Sequence, residues 1–254
     1  MKGIDVSFCQ RCFNWARYDG DFAMVKASQG KSDYGSYTDD FIVDSEFKRN
    51  VEGCRLYGIP FGVYHYLTAR NTMEAHREAT AFCDAISPYR NSIRLWAAVD
   101  VESPLWLPTD KVSLTQIVNE FIATVRQRGF KPMLYTGLPF LLYRLQKPEG
   151  IPLWLAYWGG EKTAKKYDPL IWQYGIDKKY GVDGDVGYFV LSDVTNTEAD
   201  KPVYSPGDVF TIHEGAKYTN GISVPARLIG KQYEIGKVKD GAVYLPKLWS
   251  WVRI

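Results

Sequence analysis

Short apolar runs of strand length recur along the first three quarters of the chain, separated by more polar segments. Runs of this length and composition are typical of strands buried in a sheet. Eight of them are candidate strands: KGIDVS (2–7), FAMVKAS (22–28), IPFGVYHYL (59–67), RLWAAVDVE (94–102), KPMLYTG (131–137), IPLWLAYW (151–158), DPLIWQYG (168–175) and VGYFVLSD (186–193).

Amphipathic helices are predicted between several of these strands. The clearest is 111–128, where apolar residues recur three and four positions apart. Asp110 is a suitable N-terminal cap for it, and Gly129 suits its C-terminal end. Residues 39–57 and 72–86 are two further helix candidates.

Strands that alternate with helices predict a parallel sheet buried on both faces, and eight strands predict a (β/α) barrel. The barrel would occupy residues 1–195, which is short for this fold, and helices look degenerate at 138–150 and after 158. We therefore expect an irregular (β/α) barrel of the α/β class.

The pattern changes after this first domain. The polar stretch VTNTEADKPVYSP has two prolines and no periodicity, which predicts a linker at 196–206. Residues 207–254 then show short alternating strands broken by Gly, Asp and Asn turns, which indicate a small all-β domain.

Charge and cysteine content narrow the classes of partner. The net charge is +2, and residues 201–254 carry eight Lys or Arg against four Asp or Glu without a dense basic run, so we expect no nucleic-acid partner. Cys9 and Cys12 form a lone C-x-x-C, whereas zinc sites need more ligands at matching spacing. We expect free thiols, no metal and no cofactor.

The first residues, MKGIDVSFCQ, contain no apolar signal core, and no apolar run approaches the roughly 18 residues of a membrane span. We expect a protein that is made in the cytoplasm of its host without a signal peptide and without a membrane span. If it acts outside the cytoplasm, it must be released by other means.

The stretch WAAVDVESPLW places two carboxylates, Asp100 and Glu102, at the end of a strand. Because strand side chains alternate, they share a face with Trp96 and Ala98, which would point into the barrel and rise toward its C-terminal mouth. Their Cα atoms would lie about 6.5 Å apart. Like charges this close raise the pKa of one member, which gives the protonated acid and ionised carboxylate that glycosidic cleavage needs.

Two more acids lie at predicted strand ends. Asp5 follows the first strand run, and Asp185 follows a turn in GVDGDVGYF. If the barrel closes, both converge with Asp100 and Glu102 on one mouth. By itself the D-x-E pair is also compatible with solvated or Arg-paired acids at a strand end.

Several motifs together resemble glycoside hydrolase family 25, the N,O-diacetylmuramidases of the Chalaropsis and phage-endolysin lysozyme type. The resemblance covers nearly all of residues 1–195. It rests on the order of GIDVS, MVKASQG, FGVYHY, AAVDVE, LYTG, LWLAYW, IWQYG and GDVGYF.

The resemblance implies cleavage of the β-1,4 bond between N-acetylmuramic acid and N-acetylglucosamine in bacterial cell-wall peptidoglycan. It assigns Glu102 as the general acid, Asp100 as the carboxylate that stabilises a cationic transition state or an oxazolinium, and Asp5 and Asp185 as supporting acids. The late motif departs from the family's Asp-x-Asn, because Gly187 follows Val186, and Asp183 competes for the same position.

Other polar and aromatic residues are candidates for binding sugar. Strand-end tyrosines have a polar group beside an aromatic face, which suits a carbohydrate cleft. The substrate-binding candidates are Tyr135, Tyr64, Tyr66, Lys26, Trp154 and Trp172, and the two tryptophans are equally compatible with a core role. His65 lies between two of the tyrosines, should face away from them, and is interpreted as a core histidine.

The C-terminal segment is similar to the bacterial SH3-like domains of phage and prophage lysins, through GDVFTIHEGAKYTNG, VPARLIGKQYEIG and SWVRI. This resemblance implies cell-wall binding by residues 207–254, with a packing or dimer module as the alternative. For the whole chain, the alternatives to a muramidase are a catalytically silent glycan-binding protein and a chitinase-like barrel.

Overall fold

The computed structural model describes residues 1–31, 41–104, 107–108, 110–195, 204, 206–212, 215–239 and 241–253. Most of the predicted linker and short parts of the C-terminal segment lie outside these residues.

A closed barrel forms the first part of the structure. Its eight strands run, in chain order, as β1 (Lys2–Val6), β2 (Phe22–Gln29), β4 (Phe61–Tyr66), β5 (Ile93–Asp100), β6 (Pro132–Gly137), β7 (Leu153–Ala156), β8 (Ile171–Asp177) and β9 (Val182–Gly187), and the short strand β3 (Ile42–Val43) pairs with β2 at the side. The pairing of β1 with both β2 and β9 closes the sheet. The predicted (β/α) barrel is confirmed.

The helices around this barrel are unequal in length. They are α1 (Phe47–Leu56), α2 (Thr72–Ile86), α3 (Lys111–Gln127), α4 (Glu161–Ala164) and α5 (Leu191–Thr195). Where helices looked degenerate in the sequence, the chain forms a single wide turn at Phe140–Arg144 and the one-turn helix α4. The expected irregularity is therefore confirmed.

The best-supported helix predictions are confirmed. Helix α3 begins after Asp110, whose side chain accepts a 2.8 Å hydrogen bond from the Ser113 amide. It ends before Gly129, which has a φ of +77° that favours glycine. Helix α2 matches its predicted bounds, with Asn71 as its cap.

The predicted helix over 39–57 begins too early. Asp44 accepts hydrogen bonds from the amides of Phe8 and Glu46, at 3.0 and 2.9 Å, and its carbonyl accepts one from Phe47. These bonds hold residues 44–46 in a turn, so helix α1 starts only at Phe47. Residues 39 and 40 lie outside the described residues.

The eighth strand prediction, 186–193, was wrong in position and direction. Asp177 and Gly181 close a tight turn through a 2.7 Å backbone hydrogen bond, and β9 returns antiparallel to both β8 and β1. The apolar residues that suggested a strand instead close the N-terminal end of the barrel, where Phe189 packs edge-on against Phe22 and Trp96.

Apolar side chains form two layers, one inside the barrel and one between the strands and the helices. The barrel interior holds Phe22, Met24, Tyr64, Leu95, Trp96, Ala98, Met133, Tyr135, Trp154 and Ile171. The larger outer layer packs the strands against the helices. Neighbouring residues along one strand therefore point alternately into the interior and toward the helices. Only the inward-facing side chains can reach the mouth of the barrel.

The C-terminal segment forms short antiparallel strands: β10 (Val209–Thr211) with β11 (Gln232–Glu234), and β12 (Lys237–Lys239), β13 (Ala242–Leu245) and β14 (Ser250–Arg253) in one sheet. They enclose a separate apolar cluster of Phe210, Ile212, Val224, Ile235, Val243, Leu245 and Val252. None of the helices in the described parts of the chain is long and apolar enough to cross a membrane.

Candidate functional site

Strand β5 delivers the central pair of acids to the mouth of the barrel. Asp100 is its last residue and is only 4 % exposed, whereas Glu102, two residues further on, is exposed. The backbone here is held on both sides, because Leu67 donates to the Asp100 carbonyl and Val101 donates to the Tyr135 carbonyl, at 2.9 and 3.0 Å. The backbone that carries the two carboxylates is therefore fixed at the rim.

The Asp100 carboxyl group is destabilised in its ionised form. Burial raises its pKa well above the usual range, and the charge of Glu102 raises it further. Lys26 opposes this effect and lowers the pKa. Among the described residues, no group hydrogen-bonds to Asp100 Oδ1, so a carboxyl oxygen remains available to a group that enters the mouth.

Asp5 lies on the opposite side of the barrel interior and is linked to its neighbours through Gln173. The Gln173 amide donates a 2.9 Å hydrogen bond to Asp5, and its carbonyl accepts a 3.2 Å bond from the Tyr135 hydroxyl. Burial raises the pKa of Asp5, and the nearby charges of Asp185, Asp183 and Asp100 raise it further. The acids therefore share one electrostatic environment.

Asp185 reaches the interior but not the rim where the sequence analysis placed it. Because β9 runs antiparallel, Asp185 pairs with Gly3, deeper than Asp183, which pairs with Asp5. It is fully buried, accepts a 2.8 Å hydrogen bond from the Trp154 indole, and has its pKa raised by burial. Asp183 is half-buried and nearer the mouth, so β9 supplies one deep acid and one shallow acid.

Tyr64 and Tyr135 line the interior beside these acids. Burial raises the pKa of both phenols, and the charges of Asp5, Asp100 and Glu102 raise them further. Both hydroxyls therefore stay protonated and can act as hydrogen-bond donors.

Lys26 and Tyr66 lie together at the same end of the barrel. The Lys26 ammonium is 5.1 Å from the centre of the Tyr66 ring and donates a 3.0 Å hydrogen bond to Gln29. Its charge acts on Asp100, as described above. The structure therefore brings these two candidates to the acid cluster.

The two tryptophan candidates lie on opposite sides of the barrel wall. Trp154 is 1 % exposed and fills the interior between Tyr64 and Tyr135, with its indole on Asp185, so it supports the acids from below. Trp172 belongs to the outer layer and donates to the Tyr157 carbonyl. Because it alternates with Gln173 on β8, Trp172 faces away from the acids and is not retained as a substrate-binding residue.

Sequence reasoning missed Gln173 as a member of the site. The signal was a polar residue inside the apolar run IWQYG, at the position that alternates with Trp172. A buried amide on a strand needs partners, and here the partners are Asp5 and Tyr135.

His65 is a core histidine, as predicted. It is fully buried and hydrogen-bonded to Ser28 and Glu78, at 2.8 and 2.9 Å, and Glu78 also accepts hydrogen bonds from the amide and hydroxyl of Thr68. This network joins helix α2 to the ends of β2 and β4, the strands that carry Lys26 and Tyr66.

Replacing Glu78 with alanine is expected to lower the free energy of unfolding by about 3 kcal/mol, because His65 and both Thr68 groups lose a buried partner. Urea unfolding measures the change. The matched control is Glu52→Ala on helix α1, where an exposed pair with Lys48 should contribute less than about 0.5 kcal/mol. Equal losses in the two variants would contradict the structural role of the network.

The four cysteines are free thiols, with Cys9 and Cys12 exposed and Cys54 and Cys83 buried. Within the described residues, no group of three or more His, Cys, Asp or Glu side chains is arranged to hold a metal ion.

The sequence matches a protein-family model and is similar to a known lysozyme. The family model described as glycosyl hydrolases family 25 matches residues 4–182. The chain is similar to the autolytic lysozyme of Clostridium acetobutylicum, with 31 % identity over 166 residues that cover 64 % of this chain. It spans 46 % of that relative's length.

Solved structures that share the fold include the following two. The modular autolysin LytC from Streptococcus pneumoniae has a TM-score of 0.63 at 22 % identity, over 74 % of this chain and 46 % of that one. The catalytic domain of the endolysin ply40, from bacteriophage P40 of Listeria monocytogenes, has a TM-score of 0.63 at 23 % identity, over 79 % and 97 %. At these identities the likeness concerns the fold alone.

Proposed function

Because the chain belongs to glycosyl hydrolases family 25, we propose that it hydrolyses peptidoglycan at the β-1,4 bond between N-acetylmuramic acid and N-acetylglucosamine. The single observation that carries the proposal is the pair of acids at the barrel mouth. An exposed Glu102 lies two residues beyond a buried Asp100 whose ionisation is opposed by burial and by Glu102 itself.

Glu102 is the general acid in this proposal. Its exposed side chain is accessible to a glycosidic oxygen that enters the mouth, and protonation of that oxygen lets the bond to the anomeric carbon break. Glu102 gives its proton to the glycosidic oxygen, which leaves as a hydroxyl of the released sugar. A water molecule then adds to the anomeric carbon and returns one proton to the Glu102 carboxylate.

Asp100 stabilises the positive charge that develops during this step. A carboxylate in a buried site interacts strongly with a nearby cation, whether an oxocarbenium-like transition state or an oxazolinium formed by the substrate's own acetamido group. Burial and the charge of Glu102 raise the pKa of Asp100, and the charge of Lys26 lowers it. Once Glu102 carries the catalytic proton, its charge no longer opposes the ionisation of Asp100, and a cation that develops on the substrate lowers the pKa in the same direction as Lys26. The cost of ionising Asp100 is thus offset when the transition state forms.

Asp5 and Asp185 support this pair. Asp5 fixes Gln173, which orients the Tyr135 hydroxyl, and Asp185 fixes the Trp154 ring that packs under Tyr64 and Tyr135. The proposal therefore places Tyr64, Tyr135, Tyr66 and Lys26 around the substrate. Trp154 serves as a support for the tyrosines.

Purified cell-wall peptidoglycan tests the activity. The full chain is expected to clarify a suspension of it and to release new reducing ends. A catalytically silent glycan-binding protein, the second candidate, would sediment with the same material and release none. That outcome would reject the hydrolase and retain only binding.

We further propose that residues 207–254 form an SH3-like domain that binds the cell wall and is joined through a linker at 196–206. The support is the separate apolar cluster of the C-terminal strands. The basic excess of the segment and its exposed Trp249, 87 % accessible, provide surface for an anionic, carbohydrate-containing partner. Such an anchor raises the local concentration of the catalytic barrel at an insoluble substrate.

A chain that ends at residue 200 is expected to fold, to cut soluble glycan strands at the full rate, and to bind whole cell walls at least about tenfold more weakly. Sedimentation with walls measures the binding, and the full chain is the control. Aggregation of the shortened chain would contradict an independent catalytic barrel, and unchanged wall binding would contradict the anchor.

A further inference from the structure

An exposed tryptophan stands at the barrel mouth outside the set of residues assigned so far. Trp158 follows the end of β7 by two residues and is 65 % exposed. Strands β7 and β5 are parallel members of the barrel, so Trp158 lies at the same end as Asp100 and Glu102.

The backbone that carries Trp158 is fixed. The amide of Tyr157 donates a 3.1 Å hydrogen bond to the carbonyl of Gln173, and the carbonyl of Tyr157 accepts a 2.8 Å bond from the Trp172 indole. Trp172, which faces the outer layer, thus fixes the loop after β7 through this hydrogen bond. The exposed ring is displayed on a rigid support, which lowers the entropy lost when a ligand binds to it.

The Trp158 ring also packs against a defined surface at Gly175. A Cβ built on Gly175 would lie 3.5 Å from the indole Cδ2, so the Trp158 ring rests on the backbone of β8. Gly175 has a φ of +122°, a conformation that side-chain-bearing residues rarely adopt. Glycine therefore gives the bulged strand both its shape and a flat surface for the indole.

The strand positions next to Trp158 and Gly175 lead to the acid cluster. Ala156, two residues before Trp158, pairs with Gln173, and Gln173 hydrogen-bonds to Asp5. Trp158 therefore lies on the β7–β8 side of the mouth, beside the strand position that carries Gln173.

We propose that Trp158 is a sugar-stacking platform that holds a pyranose ring of the glycan strand next to the bond that is cut. The proposal rests on the proposed function and names a further residue of the same cleft. A β-1,4-linked glycan presents flat C–H faces, and an indole face that is already fixed and exposed matches such a surface. Because Trp158 contacts the sugar rather than the reacting atoms, its contribution is to binding.

The test uses peptide-free glycan strands prepared from purified peptidoglycan with an amidase. The full-length wild type is compared with Trp158→Ala, Trp158→Phe and the control Tyr57→Ala, an exposed aromatic before the start of β4 at the opposite end of the barrel. We expect Trp158→Ala to raise KM about tenfold with little change in kcat, Trp158→Phe to recover most of the affinity, and Tyr57→Ala to match the wild type.

Binding of the same strands, measured by calorimetry with Glu102→Gln and with the double variant Glu102→Gln/Trp158→Ala, separates the two proposals. Tighter binding by Glu102→Gln supports the platform even if the wild type proves inactive, an outcome that would reject only the hydrolase. Equal binding by the two variants, or an unchanged KM in Trp158→Ala, would overturn the platform whether or not the wild type cuts.

Discussion

Replacement of Glu102 by glutamine is expected to reduce peptidoglycan hydrolysis by about 10²- to 10⁴-fold, because glutamine has no proton to transfer to the glycosidic oxygen. The thermal unfolding midpoint should not fall, since the Glu102 side chain is exposed and its charge opposes the ionisation of the buried Asp100. Loss of turbidity of a peptidoglycan suspension measures the rate, and calorimetry measures the midpoint.

The matched control for this variant is Glu149→Gln, an exposed acid in the loop before β7, at the opposite end of the barrel. It should retain the wild-type rate. A large fall in the unfolding midpoint of Glu102→Gln together with residual activity would show that the residue serves the fold rather than the chemistry.

Replacement of Asp100 by asparagine is expected to abolish most of the activity and, at neutral pH, to raise the unfolding midpoint by a few degrees. The activity falls because a neutral amide cannot stabilise a developing cation. The stability rises because the substitution removes a carboxylate that burial and Glu102 make costly to ionise.

The direction of the stability change depends on pH. The pKa of Asp100 is raised in the folded protein, so the folded state retains its proton above about pH 4, where the unfolded state has lost it. The wild type therefore loses stability as the pH rises from about 4 toward the folded pKa, and the asparagine variant lacks this loss. At pH 3 the two midpoints should coincide, and a lower midpoint for the variant at pH 7 would contradict the account.

The sequence predicted the elements whose signals are local. Helix α3 has a complete apolar stripe and a capping Asp110, and each of the first seven strand runs overlaps an observed barrel strand. The D-x-E pair reached the mouth because a strand's direction and alternation fix where its last residues point.

The sequence failed where a longer-range contact decides the outcome. The apolar run 186–193 suggested a strand, but the turn at Asp177–Gly181 had already reversed the chain, and Phe189 was needed to close the barrel end. The direction of β9 then placed Asp185 below the rim. The outward orientation of Trp172 and the role of Gln173 depended on the register of β8, which the apolar run alone does not specify.

The identity of the newly formed reducing ends tests the central claim most directly. Purified peptidoglycan is digested with the full chain, reduced with borohydride and analysed by mass spectrometry, beside Glu102→Gln. The account predicts muramitol ends that are absent from the variant digest. Glucosaminitol ends, or no new ends at all, would contradict it.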